Sequence, residues 1–275
     1  MFILFKHGLV RPMIDKQLMR KRFSERAKTY DQFANVQKIM ADLLADCIGI
    51  RPHNILEVGC GTGYLTEKLC RMFPHARMTA VDIAPGMIAV AQERVCGEDV
   101  TWICADIEDM TWNEPYDLII SNATFQWLND AVNTIARLHR ALSEGGCLVF
   151  STFGARTFHE LHTSFSLALK AENIHEPFRI GPAFPTLAEW IARCQQAAPA
   201  AQIDGFEWME TERFPSVRDF FLSLRHIGAT NSMVGRYCQR PSVFKAMMRE
   251  YEQRFLVHGE ITATYHCLLI RMTRC

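Results

Sequence analysis

The sequence lacks a long apolar run and has no excess of charge of either sign. No run approaches the roughly 18 apolar residues needed to span a bilayer, and the opening MFILFK has only five apolar residues before Lys6, too few for a signal-peptide core. Lysine plus arginine equals aspartate plus glutamate, at 30 each, so no global field draws the chain toward nucleic acid or membranes. We therefore expect neither as a partner.

The ten cysteines contain no CxxC pair, and no low-complexity linker or internal repeat interrupts the 275 residues. Several cysteines lie inside apolar runs, as in TWICAD and GGCLVF, where a reduced cysteine behaves as a small hydrophobe. This usage argues against a disulfide scaffold and favours a reducing, cytoplasmic location. The apolar fraction of 49% is enough to build the core of one large domain, or of one domain with a cap.

Short apolar runs alternate with helical patterns between about residues 54 and 154. NILEV, ARMTAVD, VTWICAD, YDLIISN and GGCLVFSTF read as strands, and YLTEKLCRMF, APGMIAVAQERV and the longer FQWLNDAVNTIARLHRAL read as helices. The segment Ser143–Gly146 predicts a glycine turn that closes the last of these helices. This alternation predicts an α/β fold with a doubly wound, mainly parallel, Rossmann-like sheet.

The flanking sequence completes a predicted seven-stranded sheet and adds helical segments. Residues 16–49 have a helical pattern, and we assign 1–49 to an N-terminal helical segment. Residues 155–200, with helices over 157–170 and 186–196, predict a helical cap inserted after the fifth strand. Strands at about 202–213 and ITATYHCLLIRM, with helices from Ser216 and Ser242 between them, return the chain to the sheet. The sheet domain is therefore predicted to comprise 50–154 and 201–275.

The stretch ILEVGCGTGYL places three glycines directly after the first strand. Such a turn lies at the carboxyl end of the sheet, where open sheets bind ligands. The dinucleotide fingerprint G-x-G-x-x-G does not fit, because the third glycine comes early, at Gly63, and Tyr64 takes the sixth position. Glu57, Asp82 and Asp106 lie at three strand ends without a basic residue among them. That pattern favours a cationic cofactor over a doubly phosphorylated one.

These motifs resemble those of the class I S-adenosylmethionine-dependent methyltransferases. EVGCGTG is similar to their glycine motif, VDIAPGM to their ribose motif and CADIED to their adenine motif. The resemblance implies S-adenosylmethionine as cofactor and no metal. It further implies contacts of Glu57, Gly59, Cys60 and Gly61 with the amino-acid half, of Asp82 with the ribose, of Ile83 and Met87 with the adenine faces, and of Asp106 and Ile107 with the adenine amine. Tyr30 and Asn122 complete the expected cofactor contacts.

A narrower resemblance covers about residues 20–272. RFSERAKTYDQFANVQ, SNATFQWL, STFGARTFHELH, LRHIGATNS and ITATYHCLL are similar to segments of the malonyl-acyl-carrier-protein O-methyltransferases of biotin synthesis. The Asn/Asp-Pro-Pro-Tyr/Phe motif typical of amino-group methyltransferases is replaced by Ser121-Asn-Ala-Thr-Phe. The resemblance implies methylation of the free carboxyl of a malonyl thioester, which starts pimeloyl synthesis, with an acyl-carrier protein as partner. The first dozen residues do not match, which leaves Met13 as an alternative start.

Within this resemblance we expect Tyr30, Gln126 and Trp127 to be catalytic, chiefly by orienting the reactants, since a malonyl carboxylate is already ionised at neutral pH. Candidate substrate-binding residues are Phe33, Phe153, Arg225 and His226. The alternatives are a buried Tyr30 hydroxyl satisfied by a helix end, a core position for Trp127, and a solvated helix face for Arg225 and His226.

An acidic acyl-carrier protein predicts a basic docking face. The two candidate groups are Lys16, Arg20, Lys21 and Arg22 near the N-terminus, and Arg236, Arg240, Lys245 and Arg249 near the C-terminus. His159 and His162, in HELH, do not match the HExxH metal motif and lack a third ligand, so we expect no metal there. The sequence predicts no oligomeric state.

Three alternative functions stay open at this point. The first is a carboxyl methyltransferase acting on another small dicarboxylic acid or on malonyl-CoA. The second is a nicotinamide-dependent dehydrogenase, which the missing sixth-position glycine disfavours. The third is a non-catalytic S-adenosylmethionine-binding protein, which the intact 122–127 segment disfavours.

Overall fold

A computed structural model describes residues 14–112, 114–176, 178, 180–227 and 240–275. The strands are β1 (Asn54–Val58), β2 (Arg77–Asp82), β3 (Val100–Cys104), β4 (Tyr116–Ser121), β5 (Leu142–Phe153), β6 (Gln202–Phe214), β7 (Leu256–Val257) and β8 (Glu260–Thr273). They form one sheet in the order β3-β2-β1-β4-β5-β8-β6, and the two-residue strand β7 pairs with β8. The first five strands are parallel, whereas β8 runs antiparallel to both of its long neighbours.

The helices cover both faces of this sheet. They are α1 (Lys16–Tyr30), α2 (Asn35–Asp46), α3 (Tyr64–Met72), α4 (Pro85–Arg94), α5 (Ala131–Arg140), α6 (His159–Ala171), α7 (Leu187–Ala197), α8 (Val217–His226) and α9 (Pro241–Phe255), with short 3₁₀ helices at Ile107–Asp109 and Phe125–Trp127. The predicted fold, a doubly wound and mainly parallel sheet of seven long strands, is confirmed.

Successive residues of the central strands point to opposite faces of the sheet, and both faces are buried. Leu56 of β1 belongs to an apolar cluster with Leu138 of α5 and Trp190 of α7. Its neighbour Ile55 belongs to the opposite cluster, with Leu44 of α2 and further residues of α3. Burial on both faces is the reason that these strands are nearly continuous apolar runs rather than alternating ones.

Helices α6, α8 and α9 share a separate apolar cluster with the first residues of β8. Glu160 on α6 is buried and accepts a hydrogen bond from the backbone N–H of Thr264 on β8 at 3.2 Å. Helix α7 instead packs on the sheet face beside α5. The predicted division of the chain into a sheet domain, an N-terminal segment and a cap at 155–200 stays a prediction.

Two predicted element boundaries were wrong. The helix predicted from Phe125 is interrupted by extended backbone at Leu128, so that α5 begins only at Ala131, capped by Asp130. The predicted glycine turn over Ser143–Gly146 lies within β5, where the register with β4 shifts between Leu142 and Cys147 and Gly145 has a φ of 74°. The helical region 16–49 is two helices separated by a turn.

Candidate functional site

A cleft lies over the carboxyl ends of β1, β2 and β4, and α1 forms its outer wall. The sequence-predicted residues that line it are Tyr30, Gly59, Gly61, Asp82, Ile83, Met87, Asp106, Ile107, Asn122, Gln126, Trp127 and Phe153. An adjoining recess, lined by Glu57 and Cys60, shares Tyr30, Gly59, Gly61 and Asn122 with this cleft. Fourteen of the predicted residues therefore meet in one continuous depression.

The glycine loop passes close to the strand ends and leaves space in front of itself. Gly59 has a φ of 71°, and a Cβ there would meet Thr124 Oγ1 at 2.1 Å. Gly61 has a φ of 55°, yet a Cβ there would meet nothing within 4 Å. Gly59 is therefore required by packing against Thr124, whereas the open space at Gly61 faces the cleft.

Glu57 is a buried carboxyl group at the floor of the recess. Its Oε2 atom accepts a hydrogen bond from the Thr66 hydroxyl at 2.6 Å. Burial raises the pKa of Glu57 to about 8, although the bond from Thr66 acts to lower it. A cation bound beside Glu57 would favour its ionised form and displace the proton.

Asp82 ends β2 and holds the loops on either side of it. Its two carboxylate oxygens accept hydrogen bonds from the backbone N–H of Gly61, at 2.9 Å, and of Ala84, at 2.8 Å. Burial raises the pKa of Asp82 to about 6, while these backbone bonds act to lower it. The carboxylate keeps further lone pairs for a ligand hydroxyl.

Asp106, at the end of β3, is paired with a lysine from α1. The Lys16 ammonium lies 3.2 Å from an Asp106 carboxylate oxygen and 2.5 Å from Glu108 Oε2. The sequence-based statement that no basic residue accompanies the strand-end acids was therefore wrong. The lysine comes from the first turn of α1, whose last residue, Tyr30, was the one residue of that helix predicted at the site.

An aromatic wall on α1 faces the segment that follows β4. The Phe23 ring packs edge-on against Trp127 at 5.6 Å between centroids, and Phe23 also contacts Tyr30 at 6.5 Å. Burial, with Asp31 and Asp82 nearby, raises the pKa of Tyr30 above its ordinary value. Its hydroxyl therefore stays protonated at neutral pH and is available as a hydrogen-bond donor.

The segment after β4 is fixed by side-chain amides. Asn122 donates to the carbonyl oxygen of Gln37 at 2.9 Å and accepts from the Ser151 hydroxyl at 2.6 Å. Gln126 donates to the carbonyl oxygen of Ala123 at 2.6 Å and accepts from the Thr152 hydroxyl at 2.8 Å. Ala123 has a φ of 49°, which is strained for a residue with a Cβ, and the two amides hold it there.

The remaining predicted residues lie apart from the cleft lining. Phe33 and His226 stack at 4.4 Å with an interplanar angle of 9°. Arg225 is exposed. Ile227, next to His226, does line the cleft.

Several lining residues were missed by the sequence-based analysis. Those on the helices are Lys16, Met19, Phe23 and Gln37, and those on the loops include Thr124 and Leu128. A signal existed for the first helix. Lys16, Met19, Phe23 and Tyr30 recur at intervals of three, four and seven residues, the spacing of one helical face.

The fold and this site define an S-adenosylmethionine-dependent methyltransferase of class I. A family model described as a methyltransferase domain matches residues 55–146. The YcgJ protein of Bacillus subtilis has the same fold, with a TM-score of 0.59 and 13% identity over 86% of this chain and 97% of that one. The N-methyltransferase NodS of Bradyrhizobium japonicum, solved with S-adenosylhomocysteine, gives a TM-score of 0.52 and 18% identity over 93% of this chain and 98% of that one.

The relationship in sequence is closer and extends over the full length. A malonyl-acyl-carrier-protein O-methyltransferase of Anoxybacillus flavithermus is 63% identical over 96% of this chain and 100% of its own length. The homologue in Bacillus cytotoxicus, with the same name, is 47% identical over 95% of this chain and 93% of its own length. The chain belongs to the malonyl-acyl-carrier-protein O-methyltransferases.

The residues of the cleft fit S-adenosylmethionine. The open space at Gly61 accepts a ligand without moving the backbone, and two carboxyl groups, the buried Glu57 and the half-buried Asp82, suit a cationic amino acid and a ribose. Lys38 lines the recess, and its ammonium donates a hydrogen bond to the carbonyl oxygen of Asp31 at 2.6 Å. The positive charge of this ammonium would neutralise the carboxylate of a ligand bound there.

Within the part of the chain that the structure describes, no helix has the length and apolar character required to cross a membrane.

Proposed function

We propose that the protein transfers the methyl group of S-adenosylmethionine to the free carboxylate of a malonyl thioester carried by an acyl-carrier protein. The observation that carries the proposal is the full-length identity of 63% to a relative of that name, which includes the segments outside the methyltransferase domain. The product, a malonyl methyl ester, is the starter that the resemblance assigns to pimeloyl synthesis for biotin.

The reaction requires no general base. A malonyl carboxylate is ionised at neutral pH, and S-adenosylmethionine supplies an electrophilic sulfonium methyl group when bound. The contribution of the protein is then orientation, which can supply on the order of 7–11 kcal/mol in well-aligned reactions. An aromatic cleft from which bound reactants expel water would also strengthen the electrostatic interactions inside it.

Gln126 and Tyr30 have distinct proposed roles in that orientation. Both ends of the Gln126 amide are already bonded, to Ala123 and Thr152, so Gln126 acts by fixing the strained Ala123 backbone at the cleft wall. A tyrosine hydroxyl is protonated at neutral pH, and burial raises the pKa of Tyr30 further, so its hydroxyl can donate a hydrogen bond to the acceptor carboxylate. Trp127, packed on Phe23, closes the wall between them.

The acceptor is proposed to enter past Phe153 and the end of α8. Phe153 lines the cleft and packs on Phe184 at 5.8 Å between ring centroids. The Nδ1 atom of His226 is buried and has no hydrogen-bond partner among the described residues. Stacking on Phe33 holds the imidazole ring in place beside Ile227, the neighbouring residue that lines the cleft.

Docking of an acidic carrier is proposed to use exposed basic residues of α1 or α9. Arg20 and Lys21 are exposed on α1, and Arg240, Lys245 and Arg249 are exposed at the start of or along α9. Lys16, a member of the first predicted group, is ion-paired with Asp106 and Glu108 in the cleft and is therefore not a docking candidate. Arg236, a member of the second group, lies outside the described residues. The reversal of charge at Arg20 and Lys21, compared with the same change at Lys245 and Arg249, separates the two faces.

The test is incubation with S-adenosylmethionine and malonyl-carrier protein, followed by intact-mass spectrometry. We expect the carrier to gain the mass of one methyl group and to lose it on mild saponification. Parallel reactions with malonyl-CoA and with free malonate test the carrier requirement, and raising the salt concentration should slow only the carrier reaction. Binding of S-adenosylmethionine without any methyl transfer would contradict the proposal and favour a non-catalytic role.

A further inference from the structure

Among the described residues, Lys16 is the one residue in the first turn of α1 that forms ion pairs with the adenine side of the cleft. Its ammonium lies between two carboxylates, 3.2 Å from Asp106 and 2.5 Å from Glu108. About a fifth of its side chain is exposed, and the residue also lines the cleft. The ammonium therefore fixes the orientation of a carboxylate that faces the ligand.

Glu108 anchors this arrangement to the rest of the protein. Its carboxylate oxygens accept hydrogen bonds from the backbone N–H of Asn129, at 3.0 Å, and of Asp130, at 2.6 Å. Burial acts to raise the pKa of Glu108, but the bonds from Lys16 and from these two backbone groups hold it below its ordinary value. Glu108 thus stays ionised and keeps the Lys16 ammonium in place.

The backbone around Lys16 is fixed independently. Ile14 and Asn129 exchange two hydrogen bonds, from the backbone N–H of Ile14 to Asn129 Oδ1 at 2.8 Å and from Asn129 Nδ2 to the Ile14 carbonyl at 3.2 Å. The Arg137 guanidinium donates to the carbonyl oxygens of Ile107 and Glu108 at 2.7 and 2.8 Å. Removal of the Lys16 ammonium would therefore leave the first turn of α1 and the 107–109 turn in position.

We infer that Lys16 is a positioning residue for the cofactor, which acts through Asp106 on the exocyclic amine of the adenine. Asp106 has room for both partners, because a carboxylate offers about four lone-pair sites. The Lys16 ammonium lies 3.2 Å from each of the two Asp106 oxygens, and the backbone N–H of Glu108 donates to Oδ1 at 3.0 Å, so the remaining lone pair of Oδ2 is the one left for the adenine amine. The inference rests on S-adenosylmethionine as cofactor and on Asp106 as the acceptor for its adenine amine, and it is independent of the methyl acceptor.

Without the ammonium, Asp106 would keep the bond from the backbone N–H of Glu108 to Oδ1, but Oδ2 would lose its ionic partner and its fixed direction. Because a hydrogen bond to a charged group contributes about 1.5–3 kcal/mol, we expect Lys16→Met to weaken S-adenosylhomocysteine binding by about tenfold, which corresponds to about 1.4 kcal/mol. The loss should appear as faster dissociation. Turnover at saturating S-adenosylmethionine should change by no more than about twofold, because tenfold weaker binding is overcome by added ligand.

The experiment is calorimetric and stopped-flow titration of the full-length protein with S-adenosylhomocysteine and with its purine analogue, which lacks the exocyclic amine. The variants are Lys16→Met, Lys16→Arg and, as a matched control, Lys28→Met, a lysine in the last turn of the same helix that is exposed to solvent. We expect Lys16→Met to bind the amine-bearing ligand about tenfold more weakly and the purine analogue almost as well as wild type does. Lys16→Arg should restore most of the affinity, and Lys28→Met should bind as wild type does.

Equal losses of affinity for the two ligands in Lys16→Met would overturn the inference, because Lys16 would then act only as a structural clip for α1. Unchanged binding of both would overturn it as well. Melting temperatures of all three variants show whether any loss is due to unfolding, and the Lys16→Arg variant repeats the test with the charge retained. Both ligands bind without an acceptor, so these titrations do not depend on the proposed malonyl chemistry. A failure of that chemistry is therefore distinguished from a failure of this inference.

Discussion

Substitution of Gly61 by alanine separates the stability of the fold from the binding of the cofactor. The left-handed backbone at Gly61, with a φ of 55°, should cost an alanine about 1–2 kcal/mol. No atom lies within 4 Å of the new Cβ, so no steric term adds to this cost in the free protein. For a chain of this size, the melting temperature should fall by only about 2–8 °C.

The same methyl group would lie at the wall of the cleft in which we propose that S-adenosylmethionine binds. We expect Gly61→Ala to weaken S-adenosylhomocysteine binding at least about a hundredfold, or about 2.7 kcal/mol. Gly145→Ala is the matched control, because Gly145 has a φ of 74° and likewise has nothing within 4 Å of a Cβ, but it lies outside the cleft. Calorimetry on both variants decides the question. Wild-type affinity in a folded Gly61→Ala protein would show that the cofactor does not pass this loop.

Three further predictions address the carboxyl floor, the cleft wall and the α1 helix. Burial raises the folded-state pKa of Glu57 to about 8, so its contribution to stability is complete below the ordinary value of 4.5 and is lost as the pH rises toward 8, up to about 5 kcal/mol. Thermal melts over this range should therefore decline more steeply for wild type than for Glu57→Gln, and parallel slopes would contradict the assignment. Tyr30→Phe and Gln126→Ala should each lower turnover by about tenfold or more, while the affinity for the cofactor stays near that of wild type. If calorimetry showed that cofactor binding is lost, and the bound fraction turned over normally, both roles would be contradicted. Gly86→Ala would place a Cβ 2.5 Å from the carbonyl oxygen of Ser24 and should cost about 1–3 kcal/mol by forcing α1 from α4, which faster hydrogen exchange in α1 would reveal and unchanged exchange would refute.

Much of the fold could be predicted because the sheet is buried on both faces. NILEV and YDLIISN are apolar runs flanked by glycine or polar residues, and such runs have few uses besides central parallel strands. The positions of Glu57, Asp82 and Asp106 followed directly, since the carboxyl ends of neighbouring parallel strands meet at one edge. These inferences needed only local pattern and the handedness of the crossovers.

The contacts that complete the site depend on distant segments and were not predictable in the same way. Lys16 and Asp106 are 90 positions apart in the sequence, and the sequence around either residue does not predict their ion pair. The Gln126 side chain appeared free for chemistry in the sequence, but its amide is bonded to Ala123 and Thr152. The break before α5 has a similar origin, since the backbone N–H of Asp130 is bonded to Glu108 rather than continuing a helix.

In the proposed reaction, the methyl group is transferred to a carboxylate oxygen of the malonyl thioester. The most direct measurement uses S-adenosylmethionine labelled with carbon-13 in its methyl group and malonyl-carrier protein as acceptor, followed by carbon–proton correlation spectroscopy of the product. We expect a methoxy signal that correlates with the terminal malonyl carbonyl carbon, and no signal when an acetyl-carrier protein, which lacks the free carboxylate, replaces the malonyl one. A labelled methyl bonded to the malonyl methylene carbon, or label transferred equally to the acetyl carrier, would contradict the proposed reaction.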